Sequence, residues 1–84
     1  MSCVYLYIIE SQKYNRQYIG VTYNLDARLD RHNAGRVLST RKHTPYKLIY
    51  TEVFDNLKSA RRREAFFKTS DGKRVVKNKL LSLV

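Results

Sequence analysis

An arginine and a histidine stand one helical turn apart in a segment whose leucines repeat at helical spacing: Leu25, Arg28, Leu29 and His32. Residues three, four and seven apart lie on one face of a helix, so Arg28 and His32 are expected at the edge of a buried stripe. The charged residues between them, including Arg31, fall on the solvated side. A guanidinium and an imidazole at such an edge are candidates for chemistry.

A glutamate is predicted to face inward on a later helix. Glu64 lies four residues after Ala60 and three before Phe67, which places its carboxylate on the buried side. Burying a carboxylate is costly unless it is paired or bound to a cation. Two interpretations follow: a functional cation site, or a structural salt bridge to Arg28 or to one of the arginines at 61–63.

Tyrosines in the two strand-like segments are further candidates. Tyr5 and Tyr7 share one face of the first segment, and Tyr18 shares a face with Gly20 in the second. A single strand tyrosine is usually a packing residue. Two of them across a hairpin, opposite an arginine and an inward glutamate, favour a site. Gly20 would leave space for close approach of a backbone or a phosphate.

The elements that must position these side chains follow from hydrophobic patterning and turn residues. A central strand covered on both faces is predicted from the apolar run 4–9, followed by an antiparallel strand at 17–22. Asn24 caps the first helix and Gly35 ends it. A third strand spans 47–53, a second helix starts at 55–56 and is broken by 70–72, and a last helix spans 73–81 with Val76 and Leu80 inward. We expect an α/β sandwich in which a three-stranded antiparallel sheet is flanked by three helices, in the order β-β-α-β-α-α.

Length and charge narrow the class of protein. Eighty-four residues predict one domain, 1–84. Seventeen Lys and Arg against seven Asp and Glu give a net charge of +10, which favours a nucleic-acid partner because cations concentrate polyanions and release their counterions. Binding to anionic membranes is the alternative, but no amphipathic membrane helix with aromatic anchors is evident.

Composition also bears on the compartment. No apolar stretch approaches the roughly 20 residues that a spanning helix needs. The first residues lack the charged region of a signal peptide, and the single cysteine, Cys3, suits a reducing compartment. We therefore expect a cytoplasmic protein with no membrane partner.

The tripeptide Tyr18-Ile19-Gly20 and the helix that follows it resemble the GIY-YIG endonuclease family. The resemblance covers roughly residues 3–80, and the stretch 39–50 is similar to the small single-domain bacterial branch. The nuclease domains of excision-repair endonucleases and of intron-homing endonucleases have the same order of parts. By position, Arg28, His32 and Glu64 match the family's helix arginine, the His or Tyr one turn on, and the metal-binding glutamate.

The first half of the motif departs from the family pattern. The usual separation from Tyr18 selects Tyr5-Leu6-Tyr7, which makes Tyr7 the reactive tyrosine and puts Tyr5 in place of glycine. The alternative register, Cys3-Val4-Tyr5, makes Tyr5 the reactive one. Asn78 is set only weakly beside an asparagine found late in some relatives.

The resemblance implies metal-dependent hydrolysis of phosphodiester bonds in DNA. The implied catalytic residues are Tyr7, Tyr18, Arg28, His32 and Glu64, with Glu64 holding Mg²⁺ or Mn²⁺. Tyr7 would orient or deprotonate the attacking water, which requires nearby cations to favour tyrosinate. Phosphate contacts are expected from exposed basic residues: Arg31, Arg41, Lys42, Arg61, Arg62 and Lys73.

Other functions remain open from the sequence. The chain could be a catalytically weak or inactive nucleic-acid-binding module of the same fold, or a docking module of a larger repair complex. The resemblance implies a structure- or damage-directed activity in repair or recombination, with a targeting protein or separate subunit as a further candidate partner. The sequence leaves open the oligomeric state and the choice among duplex, branched, damaged and single-stranded DNA or RNA.

Overall fold

The sheet consists of three antiparallel strands with the first strand in the middle. The computed structural model describes residues 3–38 and 40–82, with side chains described as far as Lys77. The strands are β1 (Val4–Ser11), β2 (Gln17–Thr22) and β3 (Tyr46–Phe54), in the spatial order β2-β1-β3. The predicted central strand and both antiparallel pairings are confirmed. β1 and β3 extend slightly beyond their predicted ends.

Three helices complete the fold: α1 (Leu25–Asn33), α2 (Leu57–Phe67) and α3 (Ser70–Ser82). A short 3₁₀ turn, Arg41–His43, lies in the connection between α1 and β3. The predicted order β-β-α-β-α-α is confirmed. No helix within the described ranges is long and apolar enough to span a membrane. The predicted inward packing of Leu80 and the comparison made for Asn78 lie outside the described side chains.

The two faces of β1 bury different sets of side chains. Leu6 and Ile8, both 0% exposed, pack against Phe67 of α2 and Val76 of α3. Side chains alternate between the faces of a strand, so the neighbouring residues of β1 point the other way. This first face is therefore the conventional apolar core of the protein.

The opposite face of β1 is the one that faces α1. Tyr7 and Ile9 are buried there with Tyr46, and Leu25 and Leu29 of α1 pack against them. Two phenol rings, those of Tyr7 and Tyr46, are thus placed inside a layer of apolar side chains. Burying a tyrosine usually requires a partner for its hydroxyl, so this layer is where functional side chains are expected to converge.

The boundary between α2 and α3 differs from the prediction. Ser70, Asp71 and Gly72 do not break a helix but form the first turn of α3. Thr69 supplies the reason, because its Oγ1 accepts a hydrogen bond from the Gly72 backbone N–H at 3.0 Å and so caps the new helix. The chain turns at Lys68 and Thr69 instead.

Gly72 is required for close packing between α2 and α3. A β-carbon at this position would collide with the backbone of Phe66 and Phe67, which cannot move aside as a flexible side chain can. Helix propensity alone would make Gly72→Ala mildly stabilising, by about 1 kcal/mol.

We expect Gly72→Ala to destabilise the protein by about 1 to 3 kcal/mol, the usual range for overpacking, because the backbone collision outweighs helix propensity. Lys73→Ala, at the exposed neighbouring position, is the matched control and should change stability by less than about 0.5 kcal/mol. Urea denaturation measures both. A Gly72→Ala variant as stable as the wild type would contradict the close approach.

Candidate active site

The candidate site is built around Tyr7, which lies in the middle of β1 and is 1% exposed. Tyr7 is paired with Gly20 of β2, and its ring lies so close that a β-carbon on Gly20 would collide with the phenol. The space beside Gly20 is therefore filled by the Tyr7 ring, which corrects the expectation that a phosphate or backbone approaches there. The segment 18–20 is part of β2, as the predicted strand at 17–22 implies.

α1 brings Arg28 and His32 to this ring, as their spacing predicts. The helix begins at the expected cap, since Asn24 Oδ1 accepts a backbone N–H from the first turn at 3.1 Å. It ends before Gly35, whose φ of 75° lies in the left-handed region favoured by glycine. Local sequence signals thus set the helix whose inner edge carries both side chains.

The Tyr7 hydroxyl has two partners on α1. Arg28 Nε donates a hydrogen bond to Tyr7 Oη at 3.2 Å, and Tyr7 Oη lies 2.9 Å from His32 Nε2. The His32 ring is 0% exposed and is surrounded by aromatic rings, with centroid distances of 5.1 Å to Tyr18 and 6.2 Å to Tyr46. The structure therefore brings Tyr7, Tyr18, Arg28 and His32 together.

The same geometry separates the two candidate tyrosines of β1. Tyr5 pairs with Thr22 and Val53 at the end of the sheet, and Val53 is 59% exposed. No hydrogen bond of the described residues joins Tyr5 to Arg28 or to the histidine. Tyr7, two residues later, is the tyrosine whose hydroxyl contacts both Arg28 and His32.

Burial controls the protonation of Tyr7. Loss of solvent raises the pKa of Tyr7 above its ordinary value of 10.0, and the hydrogen bond and charge of Arg28 offset only part of that rise. The expectation that nearby cations favour tyrosinate is therefore wrong for the protein by itself. Tyr7 is a neutral phenol at neutral pH and can donate its proton.

The pKa of His32 is shifted in the opposite direction to that of Tyr7. Burial lowers the pKa of His32 below its ordinary value of 6.5, and the charges of Arg28 and Arg31 lower it further. The imidazole is therefore neutral at pH 7 and keeps one nitrogen as a proton acceptor. A neutral phenol beside a neutral imidazole is an arrangement in which one proton can pass between them.

Thr40 also belongs to the site, although no pattern in the sequence pointed to it. It is 1% exposed, and its Oγ1 lies 2.8 Å from His32 Nδ1. In the sequence Thr40 is part of a basic loop with no periodic pattern, so neither spacing nor composition indicated its burial.

Glu64 lies on α2 with its side chain 12% exposed, as the inward prediction implies. Its carboxylate is paired with Arg61 at 3.1 Å and with Lys68 at 3.8 Å, both on the same helix. Of the two interpretations offered for Glu64, the structure shows the salt bridge. Its negative charge also contributes to the raised pKa of Tyr7, so the carboxylate acts electrostatically on the site.

The predicted phosphate-contacting residues are all exposed: Arg31, Arg41, Lys42, Arg61, Arg62 and Lys73. They are spread over the three helices and the 3₁₀ turn. Arg63, which the sequence grouped with its neighbours, differs because its guanidinium is held by Glu52 at 3.0 Å. The cationic surface is broad and is not confined to one recognition helix.

The lowered pKa of His32 makes stability depend on pH. In the unfolded chain His32 binds a proton as the pH falls below about 6.5, whereas in the folded protein it does so only at the lower, folded-state pKa. The contribution of His32 to stability is therefore fully present above about pH 6.5 and is lost as the pH falls from there through the folded-state pKa. We expect the unfolding free energy of His32→Gln to decrease less than that of the wild type as the pH is lowered.

Urea denaturation between pH 5 and pH 8 measures the effect. His43→Gln is the control, because it removes the other histidine, which lies outside this hydrogen-bonded group. Equal pH slopes for His32→Gln and the wild type would show that His32 is not the group responsible.

Comparison with known proteins shows which family the chain resembles. Residues 3–79 match the model of the GIY-YIG catalytic domain. A UPF0213 protein of Staphylococcus haemolyticus is 41% identical over 66 residues, covering 77% of this chain and 79% of the relative. A UPF0213 protein of Streptococcus agalactiae is 38% identical over 65 residues, covering 76% and 73%.

A solved structure is similar as well. The solution NMR structure of a UPF0213 protein of Bacillus halodurans is 32% identical, with a TM-score of 0.54, and the match covers 96% of this chain and 84% of that one. The match to the family model, residues 3–79, includes both strands and the helix that form the site. The chain belongs to the GIY-YIG family of nucleases.

Proposed function

We propose that this protein is a Mg²⁺- or Mn²⁺-dependent endonuclease that hydrolyses phosphodiester bonds in DNA. The observation that supports this most directly is the Tyr7 hydroxyl, buried between the Arg28 guanidinium and the His32 imidazole. A packing tyrosine needs one hydrogen-bond partner, whereas this one contacts both a cation and a proton acceptor. Those are the groups that an attacking water and an anionic phosphate require.

The proposed proton path runs through Tyr7 to His32. As the water oxygen bonds to phosphorus, its proton passes to Tyr7 Oη, and the Tyr7 proton passes to His32 Nε2 across 2.9 Å. The bond from phosphorus to the 3′ oxygen breaks in the same displacement. Because burial keeps Tyr7 protonated and His32 neutral, the imidazole is the net acceptor.

Arg28 is proposed to bind the scissile phosphate. Its Nε is engaged by Tyr7, and none of the ion pairs among the described residues involves it. Its remaining N–H groups are therefore suited to two phosphate oxygens. Tyr7 is 1% exposed, so the attacking water can reach its hydroxyl only after substrate binding displaces a side chain that covers it.

Glu64 is the proposed metal ligand, and its surroundings fit that role. No three His, Cys, Asp or Glu side chains within the described residues form a metal cage. Mg²⁺ is commonly held by one or two carboxylates, with waters and substrate phosphate oxygens completing its shell. The ion-pair partners of Glu64, Arg61 and Lys68, are 61% and 60% exposed, so they can yield the carboxylate at little cost.

When bound, the metal would neutralise the scissile phosphate and stabilise the leaving oxygen. Tyr18 is proposed to support the same network through its ring contact with His32.

The proposed substrate is DNA recognised by structure or damage, in repair or recombination. The exposed cations lie on several elements, which favours phosphate contacts over reading of base sequence. Recognition of a particular site would then depend on DNA shape or on a separate targeting protein. The proposed compartment is the cytoplasm, which suits the single free cysteine, Cys3.

We expect Glu64→Gln to abolish metal-dependent cleavage and to leave DNA affinity intact, because it removes an anionic ligand but no cation. Cleavage of plasmid and branched DNA with Mg²⁺ or Mn²⁺, against a chelator, measures the first effect. Glu10→Gln is the matched control, since it removes a partly exposed carboxylate at the far end of β1. If Glu64→Gln cuts like the wild type, the glutamate is only structural.

We expect Tyr7→Phe to slow cleavage by about 100-fold or more, a barrier increase of about 2.7 kcal/mol, because only the hydroxyl is lost. Tyr5→Phe removes the same group two residues away, outside the hydrogen bonds to α1, and should have little effect. Single-turnover rates compare the two variants. Severe loss in Tyr5→Phe with a mild effect in Tyr7→Phe would assign the reaction to the other motif register.

A further inference from the structure

Thr40 ties the loop after α1 to the candidate site. Its backbone N–H donates to the Val37 carbonyl at 3.1 Å, and the Arg41 N–H donates to the same oxygen at 3.0 Å. This turn holds the Thr40 side chain inside the protein, 1% exposed, with Oγ1 2.8 Å from His32 Nδ1. The second nitrogen of the buried imidazole is therefore in contact with this hydroxyl.

The direction of each hydrogen bond follows from the available protons. Arg28 Nε–H can only donate, so Tyr7 Oη accepts from it at 3.2 Å. The single Tyr7 proton then points to His32 Nε2, which must carry a lone pair. A neutral imidazole has one N–H, so the proton of His32 lies on Nδ1 and is donated to Thr40 Oγ1. The Thr40 proton faces the Val37 carbonyl at 3.5 Å.

The same count of protons and acceptors disfavours the other tautomer of His32, which has its proton on Nε2. With the proton on His32 Nε2, Tyr7 Oη would accept from both neighbours, and its own proton would have no acceptor in the hydrogen bonds of the described residues. Tyr7 is 1% exposed, so solvent supplies little compensation. An unsatisfied buried donor costs about 1 to 3 kcal/mol.

We propose that Thr40 is a positioning residue that holds His32 in the tautomer with the proton on Nδ1, so that Nε2 faces Tyr7 as an acceptor. The effect on rate rests on the proposed nuclease function, whereas the tautomer is a property of the protein alone. Thr40 touches neither substrate nor metal in this scheme. It acts only through the imidazole.

The test compares Thr40→Val, which keeps the shape and removes the hydroxyl, with Thr40→Ser, which keeps the hydroxyl. Nitrogen-15 NMR of the imidazole rings at pH 7.5 reports which nitrogen of His32 is protonated, and His43→Gln simplifies the spectrum to one ring. We expect the Nδ1–H form in the wild type and in Thr40→Ser. Thr40→Val should shift the ring toward the Nε2–H form.

Cleavage rates provide the second measurement. Thr40→Val should slow cleavage by about 10- to 100-fold, by analogy with groups that orient a metal-ligating histidine, and Thr40→Ser should restore most of the rate. DNA affinity should remain unchanged in both variants, because neither alters a cation. A purely structural role would not produce a tautomer shift together with rescue by serine.

Two results would overturn the proposal. One is a wild-type His32 that carries its proton on Nε2, a measurement that does not depend on whether any variant folds. The other is a folded Thr40→Val with an unchanged tautomer and rate. If the wild type cuts no DNA but its His32 shows the expected tautomer that Thr40→Val alters, the nuclease proposal fails and the positioning role of Thr40 stands.

Discussion

The burial of one phenol between a strand and a helix is the interaction on which the rest of this site depends. Tyr7 is 1% exposed, and its ring can lie against β2 only because position 20 is glycine. A buried hydroxyl must be hydrogen-bonded, and α1 supplies Arg28 and His32 for that purpose. The packing of α1 on the sheet therefore also brings the side chains of the candidate active site together.

A second tyrosine, Tyr50, lies on the other face of the sheet and has different hydrogen-bond partners. Tyr50 donates to Glu52 at 2.5 Å, and Glu52 also holds Arg63. Burial, followed by the hydrogen bond to Glu52, raises the pKa of Tyr50 to about 12. The Glu52 carboxylate accepts hydrogen bonds from both the Arg63 guanidinium and the Tyr50 hydroxyl. At Tyr7 the proton faces a neutral imidazole, and Arg28 keeps N–H groups for an incoming anion.

Much of the architecture could be predicted because it is encoded locally. Asn24 and Gly35 bound α1 by capping and by left-handed geometry, and the apolar run of β1 requires cover on both faces. The inward direction of Glu64 follows from helical spacing alone. The predicted start of α3 is wrong because Gly72 resembles a helix breaker in sequence, whereas its role is the close contact of α3 with the end of α2.

The sequence by itself determined the order of elements and the face of α1 that carries Arg28 and His32, because periodicity and caps act over a few residues. The family resemblance limited the reactive tyrosine to two registers. Only the tertiary structure decided that Tyr7 and not Tyr5 meets α1, and that Thr40 reaches the far side of the imidazole. Those contacts link β1, α1 and the loop after α1, and they form only when these three segments pack together. Burial also sets the protonation of Tyr7 and His32, since desolvation depends on what the whole fold places around each ring.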